Sequence, residues 1–298
     1  MTSGNNHFKG KLLIGLKRHL KTLRPIYNLF KNKWYQLRYQ KILTKLLGYK
    51  YKPNHNNIQI ALTFDCNLKC INCDMSAGLA SSRDYMSIQQ IGKFVEESIE
   101  KKRKWNIIAI LGGEPALHAR IFEVVDLIFN YKKKYSPNTR IQFFSNGFGT
   151  KVVNVLKKLP NEIEIINSNK VSPIQSNFTF FNMAPIDSEI CRGVDYGNAC
   201  SFVEVCGIGL TKYGYYSCIV SGGIDRVFGF DIGRKTLPSV DDMMVDQSKL
   251  LCKYCGHFMT KLSCFSVNDK LKIEKMVSRS WREVYDMYGK MNPPLSDY

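Results

Sequence analysis

From residue 58 onward, the apolar positions switch between short continuous runs and a spacing of three or four residues. The runs predict strands at residues 58–64, 107–111, 141–144, 162–166 and 178–181. The spaced positions predict helices at residues 87–103, 121–128 and 152–159, and Ser87 with Gln90 forms a candidate capping box. This alternation indicates parallel βα units, in which functional residues collect at the carboxyl ends of the strands.

The chain on either side of this region has a different pattern. Two basic amphipathic helices, broken near Pro25, are predicted over residues 8–48. Further predictions are a hairpin over 206–218 turning near Gly214, a glycine-rich loop over 221–233, and a helix over 267–290 that docks through Trp281, Val284 and Met287. We therefore expect a helical extension (1–52), a βα domain (53–187), a small cysteine-rich domain (188–266) and a C-terminal helix and tail (267–298).

Positive charge is concentrated at the start of the chain. The net charge is +18, and residues 1–64 contain 13 Lys and Arg but no Asp or Glu. Two interpretations of the basic helices stay open: contact with an anionic membrane or acidic partner, and packing on the βα domain with the lysines in water. The longest early apolar run, residues 12–14, is too short for a signal-peptide core or a membrane span. We expect a cytoplasmic protein, with attachment to the inner face of the membrane left open.

The ten cysteines call for metal or chemistry in a reducing compartment. Cys66, Cys70 and Cys73 follow the first predicted strand in one short loop. Three thiolates can hold three corners of an iron–sulfur cubane, which leaves one iron open to a small chelating molecule with an amine and a carboxylate. Zinc would need a fourth ligand, for example from Cys252 and Cys255, and the three-residue gap between Cys66 and Cys70 disfavours it.

Two further motifs follow the next two strands. Gly112, Gly113, Glu114 and Pro115 end the second strand; the glycines let the backbone approach a ligand closely, and Glu114 can accept a hydrogen bond from an ammonium group. Ser145, Asn146 and Gly147 end the third strand. These last residues have two interpretations, a binding site and a simple turn, because Asn-Gly is a common turn pair.

The cysteine spacing, followed one βα unit later by Gly-Gly-Glu-Pro, resembles the radical S-adenosylmethionine (SAM) superfamily over roughly residues 58–265. The resemblance implies a partial (β/α) barrel, a [4Fe-4S] cluster on Cys66, Cys70 and Cys73, and SAM chelating the fourth iron. It further implies a 5′-deoxyadenosyl radical that abstracts hydrogen from substrate, and a reductant such as flavodoxin or ferredoxin. By the same resemblance, residues 112–115 bind the amino group of SAM, and Ser145 and Asn146 its carboxylate or ribose. The family usually has an aromatic residue before the third cysteine; here it is Asn72, whose backbone we expect at the adenine edge.

Seven cysteines remain, at positions 191, 200, 206, 218, 252, 255 and 264. A cysteine, a hairpin with glycine, Cys218 and then Cys252-x2-Cys255 resemble the auxiliary-cluster domains called SPASM and Twitch. The resemblance implies a second [4Fe-4S] cluster on Cys200, Cys218, Cys252 and Cys255, with Cys206 as the alternative to Cys200 and zinc as the rival metal. Cys191, Cys206 and Cys264 can instead be buried small hydrophobes, and Cys264 can serve a further cluster.

The resemblance leads us to expect an enzyme that oxidises a sugar-like or other small polar substrate, with the auxiliary cluster accepting an electron. One alternative is a radical SAM maturase that modifies a peptide. An alternative of another class is a non-catalytic cluster or zinc protein that binds nucleic acid through its basic N-terminus, which would leave Gly-Gly-Glu-Pro without a role. The sequence names no general base; Arg192, Asp225, Arg226 and Asp231 are polar residues in predicted loops.

Overall fold

The computed structural model describes residues 30, 33–34, 36–70, 72–172, 180–260 and 277–298. The first predicted basic helix, Cys264 and residues 267–276 of the predicted C-terminal helix lie outside these ranges.

Strands from both halves of the chain form a single sheet in the order β4-β3-β2-β1-β5-β6. The strands are β1 (Asn57–Ala61), β2 (Ile107–Leu111), β3 (Arg140–Ser145), β4 (Glu164–Asn167), β5 (Ile208–Thr211) and β6 (Gly214–Tyr216). All neighbouring pairs are parallel except β5 and β6. Ile58 and Ile60 of the central strand are fully buried, as the apolar run predicts.

Helices connect and cover these strands. They are α1 (Lys41–Leu47), α2 (Ile88–Glu100), α3 (Ile121–Tyr135), α4 (Thr150–Leu156), α5 (Phe202–Val205), α6 (Ile219–Phe228), α7 (Val245–Leu251), α8 (Gly256–Thr260) and α9 (Arg279–Tyr288). The predicted capping box is confirmed: Ser87 Oγ accepts from Gln90 N at 3.1 Å, and Gln90 Oε1 accepts from Ser87 N at 2.9 Å. The architecture is therefore mixed α/β, with parallel βα units from β1 to β4.

The predicted hairpin is present and extends the same sheet. β5 pairs in parallel with β1, with Ile208 opposite Ile58, and β6 returns antiparallel with Gly214 opposite Thr211. Gly214 has φ +128°, and a Cβ there would lie 2.6 Å from the carbonyl oxygen of Arg234, so this position requires glycine. The hairpin that the sequence places in the cysteine-rich domain is thus built onto the βα sheet.

The predicted glycine-rich loop over 221–233 is wrong in its first half, because residues 219–228 form α6. A Cβ at Gly222 would lie 2.6 Å from Thr211 Cγ2, so this glycine allows α6 to pack closely on the hairpin. Asp225 and Arg226 are consequently buried within a helix rather than exposed in a loop. Arg226 donates to Tyr288 Oη at 2.6 Å and to the Met75 carbonyl at 3.1 Å.

Two smaller predictions also fail. Residues 178 and 179 of the predicted strand 178–181 lie outside the described ranges. Its other two residues, Phe180 and Phe181, are not in a strand, and the Phe181 carbonyl instead accepts a hydrogen bond from Gly256 N at 3.1 Å. In α9, Trp281 and Val284 are buried as predicted, whereas Met287 is 60% exposed and does not dock. In the part of the chain that the structure describes, no helix has the length and apolar character needed to cross a membrane.

Candidate functional site

A cavity of about 280 Å³ lies at the carboxyl ends of the first four strands. Its wall contains the residues that follow each strand, including Cys66, Cys70, Cys73, Gly112, Gly113, Ser145, Asn146, Ser168 and Lys170. Three motifs that are far apart in sequence therefore meet at one place. Of the predicted site residues in these motifs, Asn72, Glu114 and Pro115 are not part of the cavity wall.

The three cysteines of the first loop reach the cavity with their thiols in a low-dielectric setting. Burial raises the pKa of Cys66, and it raises the pKa of Cys73 to about 11. Backbone hydrogen bonds oppose these increases in pKa: Leu68 donates to Cys66, and Ala77 and Met75 donate to Cys73. No disulfide joins any of the described cysteines. Burial thus favours the neutral thiol at Cys66 and at Cys73.

The two glycines of the second motif lie against the start of the cysteine loop. Gly112 has φ +145°, and a Cβ on it would lie 2.4 Å from the Thr63 carbonyl oxygen. A Cβ on Gly113 would lie 2.1 Å from the Asp65 carbonyl oxygen. The backbone N–H groups of Gly113 and Glu114 donate to these two carbonyls at 2.7 and 2.8 Å. The sequence predicts that these glycines let the backbone come close to a ligand. In the structure they let it come close to the segment that leads into Cys66.

Glu114 is fully buried, and its carboxylate has three protein donors. Oε1 accepts from Ala116 N at 3.1 Å and from Ser145 Oγ at 3.0 Å, and Oε2 accepts from Asn146 N at 2.7 Å. Burial raises the pKa of Glu114, while these hydrogen bonds oppose the shift. Pro115 begins a short 3₁₀ helix, where its missing N–H costs nothing. The expected contact between Glu114 and the amino group of SAM stays a prediction.

Asn72, where the resemblance predicts an aromatic residue, has a backbone conformation and a hydrogen bond that suit Asn. Its φ is +54°, a conformation that Asn tolerates better than most residues. Its Oδ1 accepts from Asn182 N at 3.0 Å, with both residues buried. The side chain therefore connects the cysteine loop to the segment that begins at residue 180, and the predicted backbone contact to adenine stays a prediction.

Ser145 and Asn146 connect the end of β3 to the cysteine loop. Asn146 Nδ2 donates to Asn67 Oδ1 at 2.7 Å and lies 3.7 Å from Cys66 Sγ. Asn67 Nδ2 in turn donates to the Phe148 carbonyl at 2.6 Å. Both Ser145 and Asn146 also form the turn, because Ser145 Oγ accepts from Gly147 N at 3.1 Å and Asn146 Oδ1 accepts from Phe148 N at 2.7 Å. The two interpretations of this motif are therefore compatible.

Sequence reasoning missed four polar residues of the cavity wall: Gln59, Asp74, Ser168 and Lys170. Lys170 follows β4 and places Nζ 3.8 Å from Cys70 Sγ. Asp74 lies beside the third cysteine, with Oδ1 3.0 Å from Nε2 of the buried His257. Cys206, which the sequence offers as the alternative to Cys200, also reaches the wall. Lys170 could have been found from its position, since it follows a strand of the same parallel set; Asp74 carries no such signal.

The later cysteines form a second, buried group. Cys200, Cys218, Cys252 and Cys255 are each 6–7% exposed. Burial, followed by the charges of the neighbouring Cys200, Cys252 and Cys218, raises the pKa of Cys255 well above its usual value. The pKa of Cys252 is raised in the same way, first by burial and then by the charges of Cys200 and Cys218. For Cys206, burial raises the pKa to about 11, and its ionisable neighbours are Cys218 and Asp74.

The donors of the first cysteine loop fit a [4Fe-4S] cluster. Three thiols reach one cavity from one loop, and thiolate sulfur is the ligand that such clusters take. Iron would offset the burial that now disfavours the thiolates. Among the described residues, no three His, Cys, Asp or Glu side chains are grouped so that they could hold a metal ion. A single zinc ion needs such close convergence, whereas a cubane takes its ligands at separate corners.

Comparison with known proteins supports this interpretation of the first loop. Residues 60–167 match the model of the Radical SAM superfamily. A probable GTP 3′,8-cyclase of Methanococcus aeolicus is 23% identical over 225 residues, which cover 74% of this chain and 64% of that protein. A probable GTP 3′,8-cyclase of Methanococcus maripaludis is 34% identical over 86 residues, or 28% of each chain. The chain thus matches less than two thirds of the length of either relative.

Two solved structures are similar at a low level. The crystal structure of BtrN in complex with AdoMet and 2-DOIA has a TM-score of 0.42 and 14% identity, covering 73% of this chain and 95% of that one. SuiB of Streptococcus suis bound to S-adenosylmethionine has a TM-score of 0.30 and 17% identity, covering 54% of this chain and 35% of that one. Both TM-scores are too low to carry an argument. The family model matches the segment that contains the cysteine loop and Gly-Gly-Glu-Pro, so the similarity to the Radical SAM superfamily covers residues 60–167.

Proposed function

We propose that this chain is a radical SAM enzyme that oxidises a sugar-like or other small polar substrate. One observation carries the proposal: the cysteine loop, the glycines of the second motif and the Ser145–Asn146 pair line the same cavity. Residues that follow separate parallel strands converge in this way where a common ligand binds. A structural turn at any one of these positions would not require the other two.

Each motif has a role in this proposal. Cys66, Cys70 and Cys73 hold the [4Fe-4S] cluster, and the backbone at Gly112 and Gly113 approaches the amino acid part of SAM. The cluster and SAM together supply a 5′-deoxyadenosyl radical that takes a hydrogen atom from the substrate. Lys170 brings a positive charge to the wall, which suits the SAM carboxylate.

The rest of the wall suits a small substrate and limits water. Apolar side chains such as Leu68, Phe144 and Phe202 contribute to it, and an apolar wall protects a reactive radical from solvent. Asp74 and Ser168 offer hydrogen-bonding groups beside these apolar side chains. A polar substrate with hydroxyl or amino groups is the class that such a wall can orient.

Oxidation of a carbinol to a carbonyl removes one hydrogen atom, one proton and one electron. The hydrogen atom goes to the 5′-deoxyadenosyl radical, the proton goes to solvent or a nearby base, and the electron needs an acceptor. The four buried cysteines, Cys200, Cys218, Cys252 and Cys255, can hold an auxiliary [4Fe-4S] cluster in that role. Cys252 and Cys255 each have Cys200 and Cys218 as charged neighbours, which supports Cys200 as the fourth ligand; Cys206 has Cys218 as a neighbour and stays the alternative.

The test is an anaerobic assay of the full chain after iron and sulfide reconstitution. With dithionite and SAM, the wild-type chain is expected to form 5′-deoxyadenosine, and Cys70→Ala to form none. Cys255→Ala is expected to lose about half of the iron and to keep 5′-deoxyadenosine formation, but to lose oxidised product from a panel of aminocyclitols and sugars. Absence of 5′-deoxyadenosine from fully reconstituted wild-type protein would contradict the radical SAM assignment. Normal product formation by Cys255→Ala without its second cluster would remove the electron-acceptor role.

A second candidate substrate comes from the relatives that are named probable GTP 3′,8-cyclases. The longer of the two alignments covers 74% of this chain. GTP therefore belongs in the substrate panel, and Lys170 could contact its phosphates. Consumption of GTP coupled to 5′-deoxyadenosine formation would replace the sugar-like substrate with a nucleotide.

A further inference from the structure

An apolar stripe lies exposed on α1, away from the candidate site. Ile42 is 76% exposed and Leu46 is 72% exposed, and their spacing of four residues places them on one face of the helix. Leu47 at the end of the helix is 56% exposed, as is Trp34 before it. Large aliphatic side chains at this exposure cost free energy in water, so a cluster of them indicates a binding surface.

The stripe is not what attaches α1 to the rest of the protein. The attachment is made by Tyr39, which is fully buried with its ring 5.2 Å from Phe258, and by the buried Thr44. Asn198 Nδ2 donates to Thr44 Oγ1 at 2.5 Å, and Asp195 N donates to the Tyr39 carbonyl at 2.8 Å. A helix that served only to pack on the domain would bury all of its isoleucine and leucine side chains. In α1 the buried residue is Thr44 and Leu43 is half-buried, whereas Ile42, Leu46 and Leu47 are exposed.

Lysines flank the stripe on the neighbouring face of α1. Lys41 and Lys45 are also four residues apart, and adjacent residues on a helix are about 100° apart, so the two rows run side by side. Both lysines line a groove of about 810 Å³, here called the basic groove, together with Lys249 and Lys253. Asp195 is the acidic residue of that wall. The groove therefore carries a net positive charge next to exposed aliphatic side chains.

We propose that α1 and the basic groove form a docking surface for an anionic phospholipid membrane. Ile42 and Leu46 enter the boundary between head groups and acyl chains, and the groove lysines contact lipid phosphates. A nucleic acid would use the lysines but would leave the aliphatic stripe in water. The absence of Asp and Glu from residues 1–64 extends the same charge complementarity along the N-terminal part of the sequence.

This inference does not depend on the radical chemistry, and its test measures binding alone. The full chain is sedimented with vesicles of phosphatidylglycerol and phosphatidylcholine in equal parts, and with vesicles of phosphatidylcholine alone. One double variant removes the stripe (Ile42→Asn with Leu46→Asn), and another reverses the charge (Lys41→Glu with Lys45→Glu). The matched control is Val240→Asn, since Val240 is 61% exposed and lies in neither the stripe nor the groove.

The wild-type chain is expected to bind the anionic vesicles and to bind phosphatidylcholine at least about tenfold more weakly. Each double variant is expected to lose at least about tenfold in affinity, and added salt is expected to weaken wild-type binding. Val240→Asn should bind like the wild type. Circular dichroism and iron content check that the variants are folded.

Three results would overturn the proposal. The first is no preference of the wild-type chain for anionic vesicles. The second is unchanged binding by the stripe variant, which would mean that charge alone, or another segment of the chain, makes the contact. The third is binding to polyglutamate or to RNA that is lost in the lysine variant while vesicles are not bound, which would assign the surface to an acidic macromolecule.

Discussion

The carboxylate of Glu114 accepts a hydrogen bond from the backbone N–H of Asn146 at 2.7 Å. This contact joins the end of β2 to the end of β3, and the glycines before Glu114 hold the same strand end against the segment leading to Cys66. The motifs of the candidate site are therefore joined into one hydrogen-bonded unit by protein groups alone. Changes at Glu114 should affect folding as well as chemistry.

Glu114→Gln tests this dual role. The new amide group has an acceptor at one position only, so either Asn146 N, or Ala116 N together with Ser145 Oγ, faces the amide nitrogen instead of an acceptor. We expect a loss of about 1–3 kcal/mol in the free energy of unfolding, measured by urea denaturation, together with weaker SAM binding. The control is Glu123→Gln on α3, where the carboxylate is 52% exposed. Unchanged stability of Glu114→Gln would mean that the carboxylate serves the ligand alone.

Asn72 gives a prediction with a fixed rank order. Asn72→Gly keeps the positive φ but removes the acceptor of Asn182 N, whereas Asn72→Phe also forces an aromatic residue into the left-handed region. The unpaired N–H costs about 1–3 kcal/mol, and the strained backbone costs about 1–2 kcal/mol more for Phe.

In urea denaturation, the free energy of unfolding should therefore be highest for the wild type, lower for Asn72→Gly and lowest for Asn72→Phe. If the aromatic variant is the more stable of the two, the side chain has a different role from the one that its hydrogen bond indicates.

Much of the first site could be predicted, because strand ends and motif spacing are local features of the sequence. Cys66, Gly112 and Asn146 each follow an apolar run, and parallel strands bring their carboxyl ends to one edge. The partners of Glu114 could not be predicted in this way, since they depend on the contact between two loops. Asp74 and His257 are far apart in sequence and meet only through the tertiary fold.

The failed prediction at α6 has a related cause. Gly222 and Gly223 are typical of loops by composition, but here they allow a helix to contact Thr211 and the backbone at Asp74 closely. A glycine that is needed for its backbone conformation and a glycine that is needed for its small size look the same in a single sequence. To distinguish them requires knowing which atoms lie next to the residue.

Lys170→Gln tests the positive charge at the cavity wall. If Lys170 contacts the SAM carboxylate, its loss should raise the KM for SAM by about tenfold or more, with a smaller effect on kcat. The rate of 5′-deoxyadenosine formation against SAM concentration measures both constants. Lys158→Gln, at an exposed position after α4, is the matched control. An equal KM for the two variants would remove Lys170 from the SAM site.

The last prediction concerns the pH dependence of stability at His55, which lies just before β1. Its ring is buried, and Nε2 lies 2.8 Å from the Asp242 carbonyl oxygen. Burial lowers the pKa of His55 below its ordinary value of 6.5; the hydrogen bond to Asp242 opposes this shift and the positive charge of Arg103 adds to it. The folded chain therefore favours the neutral ring more strongly than the unfolded chain does.

Between the lowered pKa and 6.5, the unfolded chain binds more protons at His55 than the folded chain does. The contribution of the neutral His55 ring to the free energy of unfolding is therefore largest above pH 6.5. It decreases as the pH drops below 6.5 toward the lowered pKa. His55→Gln keeps a donor for the Asp242 carbonyl but cannot titrate. We expect the stability difference between wild type and His55→Gln to shift in favour of the variant as the pH falls from about 8 to about 5. Urea denaturation at each pH measures this difference, and a constant difference across the range would contradict the buried, neutral state of His55.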